Sequence, residues 1–136
     1  MTLHVELVAP DREIWSGAAR MVIAKTLEGD IGVLSSHPPV LGILAPGSVV
    51  RILDPDTAAG PGEEQRGELV AAVSGGFFSV AGDRVSILAR EAELGHDVDT
   101  RAARADLEAA SGTSGAEEPA EAGYARARLR AAGEQA

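Results

Sequence analysis

The side chains that could do chemistry in this sequence are few and scattered. His4, His37 and His96 lie in three different segments, with no i,i+4 pair and no neighbouring Asp/Glu ligand pattern, so they do not gather into a metal site. Cysteine is absent, which removes disulfides, thiolate zinc sites and thiol nucleophiles. Asp54 and Asp56 have the first spacing of a calcium loop, but the third ligand, the central glycine and the closing Glu are misplaced, so the segment reads as a solvated hairpin loop. No GxSxG elbow is present, and Ser114 in its Gly/Ser turn does not meet that pattern. Neither Gly75-Gly76 nor the glycines of Glu28-Gly29-Asp30-Ile31-Gly32 are followed by Lys-Ser/Thr, so there is no phosphate-cradling loop. Glu28 and Asp30 could be paired carboxylates, but across a turn such residues are solvated, and nothing sets a substrate beside them. The residues read as having no catalytic site, no metal and no cofactor.

Composition points the same way. Hydrophobic residues make up 45% of the 136 and aromatics 3%, so a real core is available and is built from Val, Leu, Ile and Ala. A net charge of -9 speaks against nucleic acid as a partner, because a phosphate-neutralising face needs clustered Lys and Arg. No apolar run approaches the roughly eighteen residues of a membrane span. Met1-Thr2-Leu3-His4 lacks the basic start and apolar core of a signal peptide, so a soluble, cytosolic chain is expected.

The elements that must position these residues are mostly short strands. Leu3, Val5 and Leu7 alternate with Thr2, His4 and Glu6, the period of a half-buried strand, closed by Pro10-Asp11. Glu13-Ile14-Trp15-Ser16-Gly17 reads as a second strand, with Trp15 a core or interface anchor. Met21 and Ile23 face one side of a third strand, Val22 and Ala24 the other. Further strands cover residues 49–53, with Arg51 exposed, and 69–73. The clearest turn is Gly82-Asp83, between Phe78/Val80 and Val85/Ile87, where glycine supplies positive φ. Eight or more strands with a turn every 8–12 residues give the rhythm of an antiparallel sandwich or barrel.

Residues 26–47 interrupt that rhythm. Four glycines (Gly29, Gly32, Gly42, Gly47) and three prolines (Pro38, Pro39, Pro46) stand among apolar residues. A strand tolerates neither density, because Gly adds backbone freedom and Pro removes a ladder donor. The segment reads as a long apolar loop presented to a partner. Residues 54–67 form a polar excursion between strands.

After residue 95 the pattern becomes helical. Asp97-Val98-Asp99-Thr100 can cap a helix over residues 101–110, and residues 111–116 break it. A second helix starts near Glu117 or Glu118, with Pro119 in its first turn and Arg126, Arg128 and Arg130 towards its C-terminus. The facing stripes are Ala103, Leu107, Ala110 and Ala122, Ala125, Leu129, Ala132. With about 0.8 kcal/mol per buried CH2, so small a stripe predicts weak docking on the sandwich.

The order of these parts, with Glu28-Gly29-Asp30-Ile31-Gly32-Val33-Leu34, Ser36-His37-Pro38-Pro39-Val40-Leu41, the segment 44–47 and Val73-Ser74-Gly75-Gly76-Phe77, resembles the epsilon-subunit family of bacterial F-type ATP synthases. The resemblance covers the whole chain and implies a β + α architecture. A sandwich of about ten strands over residues 1–95 binds the gamma subunit and touches the rotor ring of c subunits. A two-helix hairpin over residues 96–136 either folds on the sandwich or extends into the alpha/beta catalytic head and blocks ATP hydrolysis. The subunit itself is not an enzyme and meets the membrane only through the complex, at the cytoplasmic face.

Residue by residue, the resemblance places Glu28, Gly29, Asp30, Gly32, His37 and Pro39 at the rotor-ring and stalk interface. It places Arg126, Arg128 and Arg130 against the catalytic head, although the same arginines complement a helix dipole. Three departures stand out. Where the family has Pro-Gly-His-Ala-Pro-Leu, this chain has Ser35-Ser36-His37-Pro38-Pro39-Val40, which should stiffen and alter the turn. The excursion at 54–67 is long. The Asp-x-x-Arg-Ala pattern that binds ATP in some members is one residue short in Asp99-Thr100-Arg101-Ala102, turning Arg101 by about 100° round the helix, so nucleotide binding is not expected. From a different class, a β-sandwich adaptor for a peptide or small ligand, with a helical dimerisation tail, also fits the composition.

Overall fold

The computed structural model describes residues 2–55, 67–111 and 120–134. Ten strands come first: β1 (Leu3–Ala9), β2 (Arg12–Ala19), β3 (Met21–Thr26), β4 (Gly29–Leu34), β5 (Val40–Leu44), β6 (Ser48–Leu53), β7 (Glu68–Val73), β8 (Gly76–Ala81), β9 (Arg84–Ala89) and β10 (Ala92–Leu94). A single 3-10 turn, Gly95–Asp97, leads to helices α1 (Thr100–Ser111) and α2 (Ala120–Ala131).

The strands hydrogen-bond in the order β10-β7-β6-β3-β5-β8-β9-β1-β2, with β4 added to β3. Their neighbours are antiparallel except β1 with β9, which run parallel. No hairpin joins β9 to β1, so nothing local forces them to oppose. The path folds over at β3, whose first residues pair with β6 while Thr26 pairs with Leu44 of β5. Inward side chains of both halves then share one core: Val50, Ile52, Leu69, Ala71 and Val73 from one, Val5, Leu7, Phe78, Val80, Val85 and Ile87 from the other. Alternation along β1, β8 and β9 follows the period of two, and Val22 and Ala24 are the buried pair of β3. Trp15 is half-buried against this core, and Arg51 is exposed beside Glu68.

Residues 26–47 are not one loop. They contain β4 and β5, separated by residues 35–39. Glycine density misleads here because β4 pairs along one side only, with β3, while Gly42 faces Phe78 across the β5–β8 ladder. A Cβ on Gly42 would lie 2.2 Å from that ring. The Gly82-Asp83 turn is as expected, with φ of 55° and 61° between the paired Ala81 and Arg84.

Two of the crossings between the halves occur side by side. Ser74-Gly75 carries β7 into β8, and Arg90-Glu91 carries β9 into β10. The two corners exchange backbone bonds: Ser74 N–H to Glu91 O at 2.9 Å and Arg90 N–H to Gly75 O at 2.9 Å. Gly76 (φ 145°) makes the corner possible, since a Cβ there would meet the Leu88 carbonyl oxygen at 2.0 Å.

α2 lies on the outer face of β6 and β7, over Val49, Val70 and Ala72, and α1 lies on α2. Being covered on both sides, α2 buries Ala122, Ala125, Ala127, Leu129 and Ala131, whereas α1 buries only Ala103 among its described side chains. The expected small-residue stripes are present, but contact comes from backbone approach as much as from side chains. A Cβ on Gly47 would lie 2.7 Å from the Gly123 carbonyl carbon, and one on Gly95 would lie 2.0 Å from the Ala131 carbonyl oxygen. Asp99 caps α1, accepting the Ala102 amide at 3.1 Å, and Gly133 (φ 90°) ends α2, with Glu134 N–H returning to Leu129 O at 2.8 Å. Ser111, expected to open the break at 111–116, is instead the last residue of α1. The rest of that break, the expected second-helix start at Glu117 or Glu118, Pro119 and most of the 54–67 excursion lie outside the described residues.

Candidate functional site: two outer faces and a held hairpin

The outer faces of the sandwich differ. One is covered by α2. The other, on β5, β8, β9 and β1, carries a row of apolar side chains set by register: Ile43 opposite Phe77, Phe77 opposite Leu88, and Leu88 opposite Val8. Leu41 stands two residues from Ile43 on the same face of β5. Leu27, in the β3–β4 turn, donates its amide to the Ile43 carbonyl at 3.1 Å and continues the row. These five large side chains (Leu27, Leu41, Ile43, Phe77, Leu88) are between 49% and 75% exposed, far more than solitary surface leucines need explain. A cleft of about 310 Å³ opens beside the row, lined by Val8, Pro10, Phe77, Leu88 and Arg90. Reasoning from the sequence missed this face. The signal was available in the doublets Phe77-Phe78 and Ile87-Leu88: neighbouring residues of a strand point oppositely, so one of each pair had to face out.

The expected ring-contact residues fall at two places. Glu28 sits in the tight turn joining β3 to β4, where Thr26 Oγ donates to Gly29 O at 2.8 Å and accepts the Glu28 amide at 3.1 Å. Gly29 (φ 120°) opens β4, and Asp30 pairs in register with Lys25. Gly32 is in mid-strand opposite Ile23. His37 and Pro39 lie beyond the other end of β4, roughly 17 Å from Gly29 at about 3.3 Å per strand residue. A single cluster of Glu28, Asp30 and His37 is therefore not formed, because the segment between them is extended. His37 is half-buried, and its Nδ1 lies 2.7 Å from the Pro38 carbonyl, so Nδ1 carries the donated proton.

The three arginines of α2 have separate situations. Arg128 points inward, with its side chain 14% exposed, and its guanidinium bonds Glu93 of β10 at 2.8 Å and Asp106 of α1 at 3.0 Å. It also lies 5.8 Å from the Tyr124 ring centroid. Burial lowers the Arg128 pKa, but the bonds to Glu93 and Asp106 outweigh it, leaving a net upward shift. Arg126 is half-buried and Arg130 exposed. A second ion pair, Arg104 with Glu134 at 2.6 Å, ties α1 to the end of α2. The Glu93 partner was not legible in the sequence, because it lies 35 residues from Arg128.

A groove of about 640 Å³ runs beside α2, lined by Ser74, Arg90, Glu91, Asp106, Tyr124 and Arg128. Asp99 and Arg101 do not line it: the Asp99 carboxylate serves the α1 N-terminus and Arg101 is exposed on α1. His4 lies 3.6 Å from Glu6, and His96 3.1 Å from Asp97. Among the described residues no three His, Asp or Glu side chains gather as a metal group, and no helix is long and apolar enough to cross a membrane.

Comparison with known proteins gives this geometry its family. The family model described as the ATP synthase, Delta/Epsilon chain, beta-sandwich domain matches residues 2–95. The ATP synthase epsilon chain of Thermobifida fusca is 53% identical over 133 residues, covering 96% of this chain and 91% of that one. The ATP synthase epsilon chain of Streptomyces avermitilis is 47% identical over 109 residues, or 79% of each chain. In fold, the chain is similar to one in the cryo-EM structure of Euglena gracilis mitochondrial ATP synthase, OSCP/F1/c-ring in rotational state 1. The TM-score is 0.66 at 23% identity, over 94% of this chain and 75% of that chain. With the sandwich matched end to end and more than half of all positions shared with a relative of nearly equal span, this chain belongs to the ATP synthase delta/epsilon family, as an epsilon chain.

Proposed function

We propose that this chain works in the central stalk of a bacterial F-type ATP synthase, coupling proton-driven rotation to ATP synthesis and restraining ATP hydrolysis through its C-terminal helices. As an epsilon chain it is a non-catalytic subunit of that complex. The observation that carries the reading is the asymmetry of the outer faces: the chain's own α2 covers one, and the other keeps a bare apolar row from Leu27 to Leu88. That row fits a helical stalk partner, the gamma subunit, because helix side chains fill a flat apolar sheet face. The two ends of β4, at Leu27-Glu28 and at His37-Pro38-Pro39, are the contacts proposed for the c-subunit ring at the cytoplasmic membrane face. Residues 1–95 are the docking unit and residues 96–136 the regulatory one. A dimerisation tail finds less support, since the α2 face that would serve it is already used by β6, β7 and α1.

Arg128 gives the regulatory reading its chemistry. While it bonds Glu93 and Asp106 it is not available to an acidic surface on the catalytic head, so the two engagements exclude each other. The test is ATP hydrolysis by a reconstituted head and stalk, with the full chain and with a chain stopped after Gly95. Truncation is expected to raise hydrolysis while stalk binding persists. Binding with unchanged hydrolysis removes the inhibitory role, and failure of both forms to bind removes the stalk role.

A further inference from the structure

The turn between β4 and β5 contains one of three described non-glycine residues with a left-handed backbone, Ser36 at φ 70°. An L side chain adopts that conformation against a steric cost that glycine does not meet. Ser36 therefore holds a conformation that serine does not favour. Something else must hold it.

Asp83 does. The Ser36 amide donates to Oδ1 of Asp83 at 2.6 Å, and the Ser35 hydroxyl donates to Oδ2 at 3.1 Å, so both carboxylate oxygens are spent on consecutive residues of the turn. The carboxylate is anchored from behind. Asp83 is the second residue of the two-residue turn between β8 and β9, and its carbonyl accepts the His4 amide at 2.8 Å. Among the described residues, Asp83 is the one hydrogen-bond link between residues 35–39 and a distant part of the chain. The rest are local: His37 N–H to Leu34 O at 3.1 Å, and His37 Nδ1 to Pro38 O at 2.7 Å.

We infer that Asp83 is the positioning residue of the His37 turn: its carboxylate holds Ser36 left-handed, and Ser36 thereby sets where His37, Pro38 and Pro39 stand on the surface. The two prolines have fixed φ, so fewer backbone dihedrals remain after His37 to absorb a change at Ser36. Its functional weight rests on the reading of this turn as a contact surface. The geometry itself does not.

The test uses the isotope-labelled full chain. Asp83→Gly removes the carboxylate while glycine keeps the left-handed turn, so the β8–β9 hairpin is preserved. Exchange of the Ser36 amide is expected to rise about tenfold or more as its acceptor is lost, and the His37 ring resonances to shift. Adding Ser36→Gly should return those resonances to their original positions, because glycine holds the conformation unaided; a role confined to the hairpin would not respond to that second change. Unchanged Ser36 exchange and His37 resonances in Asp83→Gly overturn the inference, and so does a double variant that stays like the single one. ATP-driven proton pumping by the assembled complex separates the two layers. Pumping that falls in the single variant and recovers in the double supports both. Pumping that never changes while the resonances do so keeps the positioning role and removes the contact reading.

Discussion

Tyr124, the chain's one tyrosine, is the residue on which docking of the helices can be read. Its hydroxyl is pushed up from 10.0 to about 12, first by burial and then by the negative charges of Glu93 and Glu91, with Arg128 opposing. The direction of linkage follows. A pKa raised in the folded state contributes stability that is complete below about pH 10, where an unfolded tyrosine still holds its proton, and is lost as pH climbs through about 12. Alkaline titration of phenolate absorbance is therefore expected near 12 in the folded chain and near 10 in denaturant, with the melting temperature falling across that interval. A folded-state midpoint near 10 would mean that Tyr124 is not enclosed between α2 and the sandwich.

At the scale of elements, α2 is a middle layer held by small residues and one buried guanidinium. An alanine stripe alone contributes little, but Gly47 and Gly95 let the helix backbone approach the sandwich, and Arg128 joins α2 to β10 and α1 at once. Gly95→Ala places a Cβ against the Ala131 carbonyl without a positive-φ penalty and should cost docking about 1–3 kcal/mol by overpacking. Arg128→Ala should cost about 1–2 kcal/mol, the charge-assisted bonds being discounted because Asp106 remains largely in water. Gly95→Ala is expected to move the Tyr124 midpoint back towards 10, whereas Arg128→Ala removes the cation that opposes the shift and should not lower the midpoint while α2 stays docked. The fluorescence of Trp15, which reports the sandwich, should melt nearly as before. Equal losses in both signals would show that helices and sandwich unfold as one unit.

For the whole molecule, the question is which face meets a partner. Phe77→Ser and Leu88→Ser alter half-exposed side chains, so each should cost the isolated chain only about 1 kcal/mol and leave it folded. The same pair should sharply weaken co-purification with the stalk subunit, because apolar anchors near the centre of an interface carry most of its energy. Undiminished co-purification would move the stalk contact to another surface. Unfolding of the variants would show that the row is structural.

Much of the architecture was settled by local signals. The alternation of Leu3, Val5 and Leu7, the Gly82-Asp83 turn, the Asp99 cap and the change of period after residue 95 each depend on residues within a few positions of one another. They yielded the strands, the order β before α and, with the glycine and proline motifs, the family. Residues 26–47 were misjudged because a glycine count carries no information about which strand has a free edge or which ring crosses Gly42. Tertiary structure alone decided that Glu28 and His37 lie at opposite ends of one strand, that Arg128 meets Glu93 and Asp106, that Asp83 holds Ser36, and that one outer face is covered while the other is bare. Each joins segments distant in sequence, where periodicity says which side chains face outward but not what, if anything, comes to cover them.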